Sequence, residues 1–388
     1  MSFQNLTVLC HGRTINDDFV FPGQEWDERA EKARRLMDRE KLDGLLIFAE
    51  SALTRGNICY LTNYHQFLTW GSSMLILPKE GKPKLIMTIA PRDLTFIQEA
   101  MPPIAEYIPV GLNLTSNEHV STSAIGFMRE NGLIEGKRWG TVNLGKMPKA
   151  AVDPWLDVYP GGLPDFTSEF GRIRSIKTGN EIHALSAGSM IAKTSVFDYL
   201  RGAKPGVNEM ALAADIDRQA RLQGCESVNL LTCSGSGDAP MLRVPWDRCF
   251  ETGDTVMAFM NVSYLRYYGV FGATTVIGGK SAAQEALFEG AENLFDLKIA
   301  QMSKGSVTTG YEEGRCDKCG ADYYTVVNGV GMDLSDYPDK YGEKVDVLEN
   351  MTFTVSLAAK KAGAGSVFIS RNMLVTESGI FPLSGFDG

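Results

Sequence analysis

Histidine is scarce in this chain, and where it falls limits the chemistry more than any single motif does. There are four, His11, His65, His119 and His183, and none lies beyond His183. A proton shuttle near neutral pH is best built from histidine or from a tuned carboxylate. The C-terminal half must therefore use other groups. His183 sits on a helix and reads as structural. Seven cysteines (10, 59, 225, 233, 249, 316 and 319) are scattered, which suits a reducing compartment. Cys316 and Cys319 form the one CxxC, but a zinc site needs two further ligands and no paired Cys or His lies near them. They read as two small residues near a helix end. Cys233, beside the glycine turn Cys233–Pro240, has the chemistry of a nucleophile but no visible base, and reads as a buried strand cysteine. Arg243 and Arg371 each carry a planar guanidinium that can hold two carboxylate oxygens at once.

These residues need a scaffold, and the chain is long enough for two domains at 388 residues. Its 38 Lys and Arg against 47 Asp and Glu leave a net charge of −9. No basic stripe appears, which argues against a nucleic-acid partner. The N-terminus has no signal pattern and no run of about 18 apolar residues occurs, so the expectation is a cytoplasmic protein without a membrane partner. Glu25–Arg39 reads as a surface helix, then Leu42–Ala49 and Asn57–Thr62 as strands. Ser73–Leu77, Pro83–Thr88 and Trp139–Asn143 read as further strands, Thr95–Ala100 and Val120–Asn131 as helices. This alternation makes an α/β domain over residues 1–160. Pro154–Pro164, rich in Pro and Gly, reads as the linker edge.

Residues 165–388 form the second expected domain. A strand ends at Thr178-Gly179, and Asn180 caps a helix running to about Leu200. Val207–Gln223 is a second helix and Glu226–Gly237 a strand. Gly253–Thr275 is a mostly buried hairpin opened by Gly253-Asp254. Ser281–Met302 and Thr309–Cys319 read as helices, and Leu348–Leu357 and Ser366–Thr376 as the last strands. Helix pairs and hairpins in this order suggest an internal two-fold.

Seven segments in order resemble one family. Arg172–Ala192 resembles the start of the catalytic domain of the creatinase / aminopeptidase P / prolidase family, with its pita-bread fold. Lys204-Pro205-Gly206 with Asn208-Glu209, Gly253-Asp254, Asn328–Gly331, Leu348–Met351 and Leu374–Glu377 resemble later family motifs, and Asn57–Thr62 resembles a strand of its N-terminal domain. Asn16-Asp17, Phe21–Arg35 and Tyr267-Tyr268 are most similar to creatinase, the member that cleaves a C–N bond without metal. The resemblance implies an α/β (α+β) fold: an N-terminal creatinase-like α/β domain, then a C-terminal pita-bread domain.

The resemblance also shows what is missing. The family's metal enzymes use two aspartates, a histidine and two glutamates; the matching positions here are Phe259, Val270, Asn328, Ser356 and Ser370. None supplies the hard oxygen or imidazole donors that two metal ions need. Creatinase's histidine, glutamate, arginine and late glutamate fall on Met241, Gly272, Ala273 and Ser356. No cofactor is therefore expected. The candidate catalytic residues are Asp238, Tyr268 and His65, whose loop in this family can reach a partner subunit's site. The candidate substrate contacts are Arg243, Asn261, Tyr264, Tyr267, Asn328, Ser356, Ser370 and Arg371. For Tyr267 and Tyr268 a purely packing role stays open, and for Asn328 a purely turn-forming one. The resemblance implies a small-molecule substrate and a homodimer. Three functions stay open. One is metal-independent hydrolysis of a C–N bond in a small anionic or zwitterionic molecule. Another is a cofactor-free lyase. The third is an inactive protein that binds a ligand or pairs with an active paralogue as a heterodimer.

Overall fold

The computed structural model describes residues 21–50, 54–64, 71–89, 105–111, 118–235, 242–316 and 318–385. The chain divides into two compact units, Met1–Arg174 and Ser175–Gly388. The N-terminal unit holds α1 (Gly23–Glu40), β1 (Gly44–Glu50), α2 (Gly56–Thr62), β2 (Ser72–Pro78), β3 (Lys84–Met87), β4 (Glu106–Pro109), α3 (Glu118–Glu130), β5 (Trp139–Val142), α4 (Lys149–Val158) and α5 (Thr167–Ser175). Its sheet runs β4-β3-β2-β1-β5, with β1 antiparallel to β2 and parallel to β5. Helices α3 and α4 cover one face through Val120, Ala124, Met128, Ala151 and Trp155. This is the expected α/β arrangement, with three local corrections. Asn57–Thr62 is a helix, not a strand. Every one of its residues is buried, and a fully buried run of six residues has no periodicity to separate the two states. Pro154 lies inside α4 rather than in a linker. Residues Thr167–Ser175 are helical where a strand was expected. The expected helix Thr95–Ala100 lies outside the described residues.

The C-terminal unit begins with α6 (Gly179–Gly202) and α7 (Glu209–Leu222), then β6 (Ser227–Gly235), β7 (Thr255–Tyr264) and β8 (Tyr267–Val276). It continues through α8 (Ala282–Met302), β9 (Ser306–Thr308), β10 (Gly310–Cys316), β11 (Ala321–Gly329), β12 (Lys344–Asp346), β13 (Thr352–Lys361), β14 (Gly365–Thr376) and β15 (Gly379–Pro382). Thr178, not Asn180, caps α6: its hydroxyl accepts the Glu181 N–H at 3.2 Å and Glu181 accepts the Thr178 N–H at 3.0 Å. This reciprocal box satisfies two otherwise orphaned donors. Glu181 also accepts the Tyr267 hydroxyl at 2.9 Å, which ties the hairpin to the helix start.

The main sheet runs β10-β11-β13-β14-β8-β7-β6, with β15 beside β14. Helices α6 and α7 pack on the β6–β8 half through Val196, Tyr199, Ile216, Val256, Met260 and Phe271. Helix α8 packs on the β11–β14 half through Leu287, Phe295, Phe353, Val355, Val367 and Ile369. The approach of α6 to β8 is close: a Cβ on Gly269 would lie 2.0 Å from the Gly188 carbonyl carbon. Among the described residues the second half carries one helix where two were expected, because Gly310–Cys316, inside the expected helix Thr309–Cys319, is a strand. Tyr311, Glu313 and Arg315 face one side, and Glu312 faces the other to meet Lys298 of α8 at 2.6 Å. Cys316 and Cys319 therefore flank a hairpin turn, not a helix end, with the Cys319 N–H 3.4 Å from the Cys316 Sγ.

Candidate functional site

Strand register assembles the site. Antiparallel partners point to the same face, so one row crosses the sheet from Phe259 on β7 to Gly272 on β8, Ser370 on β14, Ser356 on β13 and Val326 on β11. Next to it, Asn261 pairs with Val270, and across β14, β13 and β11 Asn372, Thr354 and Asn328 form a second row. The first row lies on the face away from the helices, while in the second the Asn372 amide also reaches the Ser189 hydroxyl of α6 at 3.1 Å. The five positions matched to metal ligands, Phe259, Val270, Asn328, Ser356 and Ser370, thus fall in the first row or next to it.

Their chemistry is that of neutral packing. The Ser356 and Ser370 hydroxyls hydrogen-bond to each other at 2.8 Å, and Ser370 is fully buried. The Phe259 and Phe368 rings meet edge to face at 5.6 Å and 86°. Gly272 makes room for this pair, since a Cβ there would lie 2.6 Å from the Phe368 ring. Cys233, Met257, Leu242 and Ala358 complete an apolar cluster around the rings; Cys233 is buried in its strand, as the sequence suggests. In the second row, Asn372 accepts from the Thr354 hydroxyl at 2.9 Å and donates to the Tyr268 carbonyl at 2.8 Å. Among the described residues no group of three or more His, Cys, Asp or Glu is placed to hold a metal ion. Hard divalent cations take carboxylate and carbonyl oxygens in numbers this row does not offer, so the residues present do not fit the family's dinuclear centre.

The remaining candidates separate by face. Tyr268 and Asn261 lie on the site face; Asn261 is buried beside Val270. Tyr267, one residue from Tyr268, points to the helices and to Glu181. Tyr264 also faces α6, its Cβ near Gly188. Arg371, next to Ser370, points to α8, stacking on Phe295 at 4.9 Å with Glu292 3.4 Å away. These three are corrections to the expected substrate contacts, and the reason is the period of two along a strand. Arg243 is corrected for a different reason. It donates to both oxygens of buried Glu209, at 2.6 and 3.3 Å, and lies 3.9 Å over the Trp246 ring. Glu209 also accepts the Thr232 hydroxyl at 2.8 Å and the Trp246 N–H at 3.0 Å. Burial pushes the Glu209 pKa up, but its bonds from Arg243, Ser234, Thr232 and Trp246 outweigh this and hold it below the ordinary value. Asn328 spends its amide on the Gly329 and Leu334 carbonyls, at 2.8 and 3.2 Å, as a turn residue does. Asp238 and His65 lie outside the described residues.

Sequence reasoning missed one feature. A cleft of about 1060 Å³ opens on the same face, toward the far ends of β13 and β14. Leu242, Met257 and Phe368 line one part of it, and Tyr311, Tyr324 and Lys360 another. The Tyr311 and Tyr324 rings stack at 5.5 Å and 29° while staying 42% and 41% exposed. A period-two reading of Tyr311, Glu313 and Arg315 would have found this face; a helical reading hid it.

Comparison with known proteins agrees with this architecture. The description "Metallopeptidase family M24" matches residues 187–377, and "Creatinase/Prolidase N-terminal domain" matches residues 29–141. The chain belongs to the creatinase / aminopeptidase P / prolidase family. By family it is an M24-type hydrolase with the pita-bread fold. It is similar to an uncharacterized peptidase, YqhT, of Bacillus subtilis (strain 168), 23% identical over 362 residues, covering 90% of this chain and 96% of that protein. It is also similar to an Xaa-Pro dipeptidase of Pyrococcus furiosus, 24% identical over 222 residues, 53% of this chain and 62% of that protein. Among solved structures, the prolidase from Pyrococcus horikoshii OT3 superimposes with a TM-score of 0.69 at 16% identity, covering 93% of this chain and 99% of that one. The X-Pro aminopeptidase from Thermotoga maritima MSB8 does so at 0.71 and 16%, covering 92% and 97%.

Proposed function

We propose that this family member hydrolyses a C–N bond in a small anionic or zwitterionic molecule without a metal centre. The observation that carries the reading is the row Phe259, Gly272, Ser370, Ser356: two hydroxyls bonded to each other and an aromatic ring occupy positions where donors to a metal would have to stand. Without a metal to lower the pKa of a bound water, a protein group must take its proton. We assign that role to Asp238, which follows Gly235, the end of β6, by three residues in the sequence. Tyr268 is on the site face and can donate to a leaving nitrogen. Asn261 and Ser356 offer neutral hydrogen-bonding groups to the substrate. In a cytoplasmic homodimer, His65 of one subunit would complete the site of the other.

The test is turnover of a panel of N-acyl and N-alkyl amino acids in excess EDTA, followed as released amine. Turnover that persists in EDTA, and drops about a hundredfold in Asp238→Asn, supports the reading. Activity that vanishes in EDTA and returns with Mn²⁺ overturns it. A second reading, a catalytically silent ligand-binding protein, is favoured by the Phe259–Phe368 pair, which puts an apolar ring contact at one of the positions matched to metal ligands. Saturable binding across the panel with no released amine selects that one.

A further inference from the structure

We propose that the cleft between the β10–β11 hairpin and Phe368 is a binding site for a planar aromatic carboxylic acid. This deepens the metal-free reading above, on which it rests, by naming the ligand class. Tyr311 and Tyr324 stand on adjacent strands of the site face, stacked on each other yet both more than two-fifths exposed. A stacked pair that remains so open offers a broad π surface to a third ring. Across the cleft stand Met257 and Phe368, a thioether and a ring, which both favour an aromatic neighbour. A flat ring between these walls is held on both faces, whereas an aliphatic chain of the same size gains contact area alone.

The charges offer an anionic ligand one cation outside an ion pair. Four charged side chains line the cleft: Glu313, Arg315, Asp322 and Lys360. Arg315 donates to Asp322 at 3.0 Å, which engages one charge of each sign. Glu313 accepts the Tyr311 hydroxyl at 2.9 Å, a bond that keeps the phenol protonated and fixes its ring. Lys360 lies directly across from Asp322 in the ladder but forms no ion pair among the described residues. Among the described residues Lys360 is the lining cation outside an ion pair, while the Glu313 carboxylate is turned to the Tyr311 hydroxyl; a carboxylate on the ligand's edge meets the Lys360 ammonium while the ring stacks on the tyrosines. The cleft, near the upper end of the usual range for small-molecule sites, admits one or two fused rings.

Calorimetric titration with benzoate and indole-3-acetate tests this, with cyclohexanecarboxylate as the non-planar control and benzamide as the neutral one. The aromatic acids should saturate one site per chain, and both controls should bind at least about threefold more weakly. Tyr324→Ala should weaken indole-3-acetate about tenfold, and Tyr324→Phe, which keeps the ring, should restore it. Lys360→Gln should weaken the acids about threefold and leave benzamide unchanged. Equal binding of benzoate and cyclohexanecarboxylate, or an unaffected Tyr324→Ala, overturns the proposal. Metal content measured on the same sample separates the two readings. A metal-free chain that binds N-acyl amino acids but no aromatic acid overturns this assignment alone. A chain carrying stoichiometric metal overturns the reading beneath it.

Discussion

Glu209 carries a charge where charge is expensive. Its side chain is fully buried, and its stability rests on five hydrogen bonds converging from Thr232, Ser234, Arg243 and Trp246. Removing the charge while keeping the shape leaves Arg243 partly uncompensated, so Glu209→Gln should destabilise the protein by about 2 kcal/mol. The sign of the pH effect follows from the lowered pKa. The folded state binds the proton less readily than the unfolded chain, whose value is about 4.3. The stabilisation is complete above that value and is lost as pH falls through the folded-state pKa. Urea midpoints measured downward from pH 7 should therefore fall more steeply below about pH 4.3 in the wild type than in Glu209→Gln. Parallel curves for the two proteins would show that Glu209 does not titrate in this way. None of this was visible in the sequence, where Glu209 and Arg243 stand 34 positions apart and each looks like a surface charge. The faces of Ser370 and Arg371, by contrast, were decidable by parity: adjacent strand residues cannot both reach one site.

The β7–β8 hairpin was the most legible element. Gly-Asp followed by apolar and aromatic residues of high β propensity leaves few alternatives, and the register places Tyr264 opposite Tyr267. What the sequence hid is its turn. Leu265 and Arg266 both have positive φ, 48° and 76°, without a glycine between them. Such a turn persists only if its surroundings fix it. Glu226 does so, accepting the Arg266 N–H at 3.0 Å, the Arg266 guanidinium, and the Ser263 hydroxyl at 2.9 Å. Glu226→Ala should cost about 3 kcal/mol, because it leaves a buried arginine unpaired and releases the strained turn. Replacing Arg266 by Gly in that background should recover part of the loss, since Gly removes both the stranded charge and the strain. Chemical denaturation of both variants checks the pair. Further along the hairpin, Gly269→Ala should prevent soluble expression or lower the melting temperature by more than 10 °C, on the order expected when a Cβ meets a helix backbone that cannot move aside. The misread elements, Asn57–Thr62 and Thr309–Cys319, are short. One carries no period and the other is rich in helix-compatible charges, so tertiary pairing decided both.

Taken whole, the chain separates scaffold from chemistry. Each unit has a core of its own, α3 and α4 against the first sheet and α6, α7 and α8 against the second. The fold is thus specified by hydrophobic patterning that runs through nearly every element. The site hangs on five positions, and substituting them leaves that patterning untouched. Ser356 and Ser370 still alternate correctly with Val355 and Ile369, which pack on α8. This is why seven motifs identify the architecture while the function stays open. It also makes a thermodynamic prediction for the whole molecule. In a protein that holds metal ions in its folded state, binding adds directly to stability, about 4 kcal/mol when the free metal exceeds its Kd a thousandfold. Here the positions that would hold the ions are already filled by a ring pair and a hydroxyl pair that complete the packing without them. Exhaustive dialysis against EDTA should leave the melting temperature unchanged, and adding 1 mM MnCl₂, a concentration on the order of a thousand times a micromolar Kd, should not raise it. A rise of several degrees with Mn²⁺, reversed by EDTA, would mean that donors outside the two rows, supplied by another segment of the chain, bind metal after all.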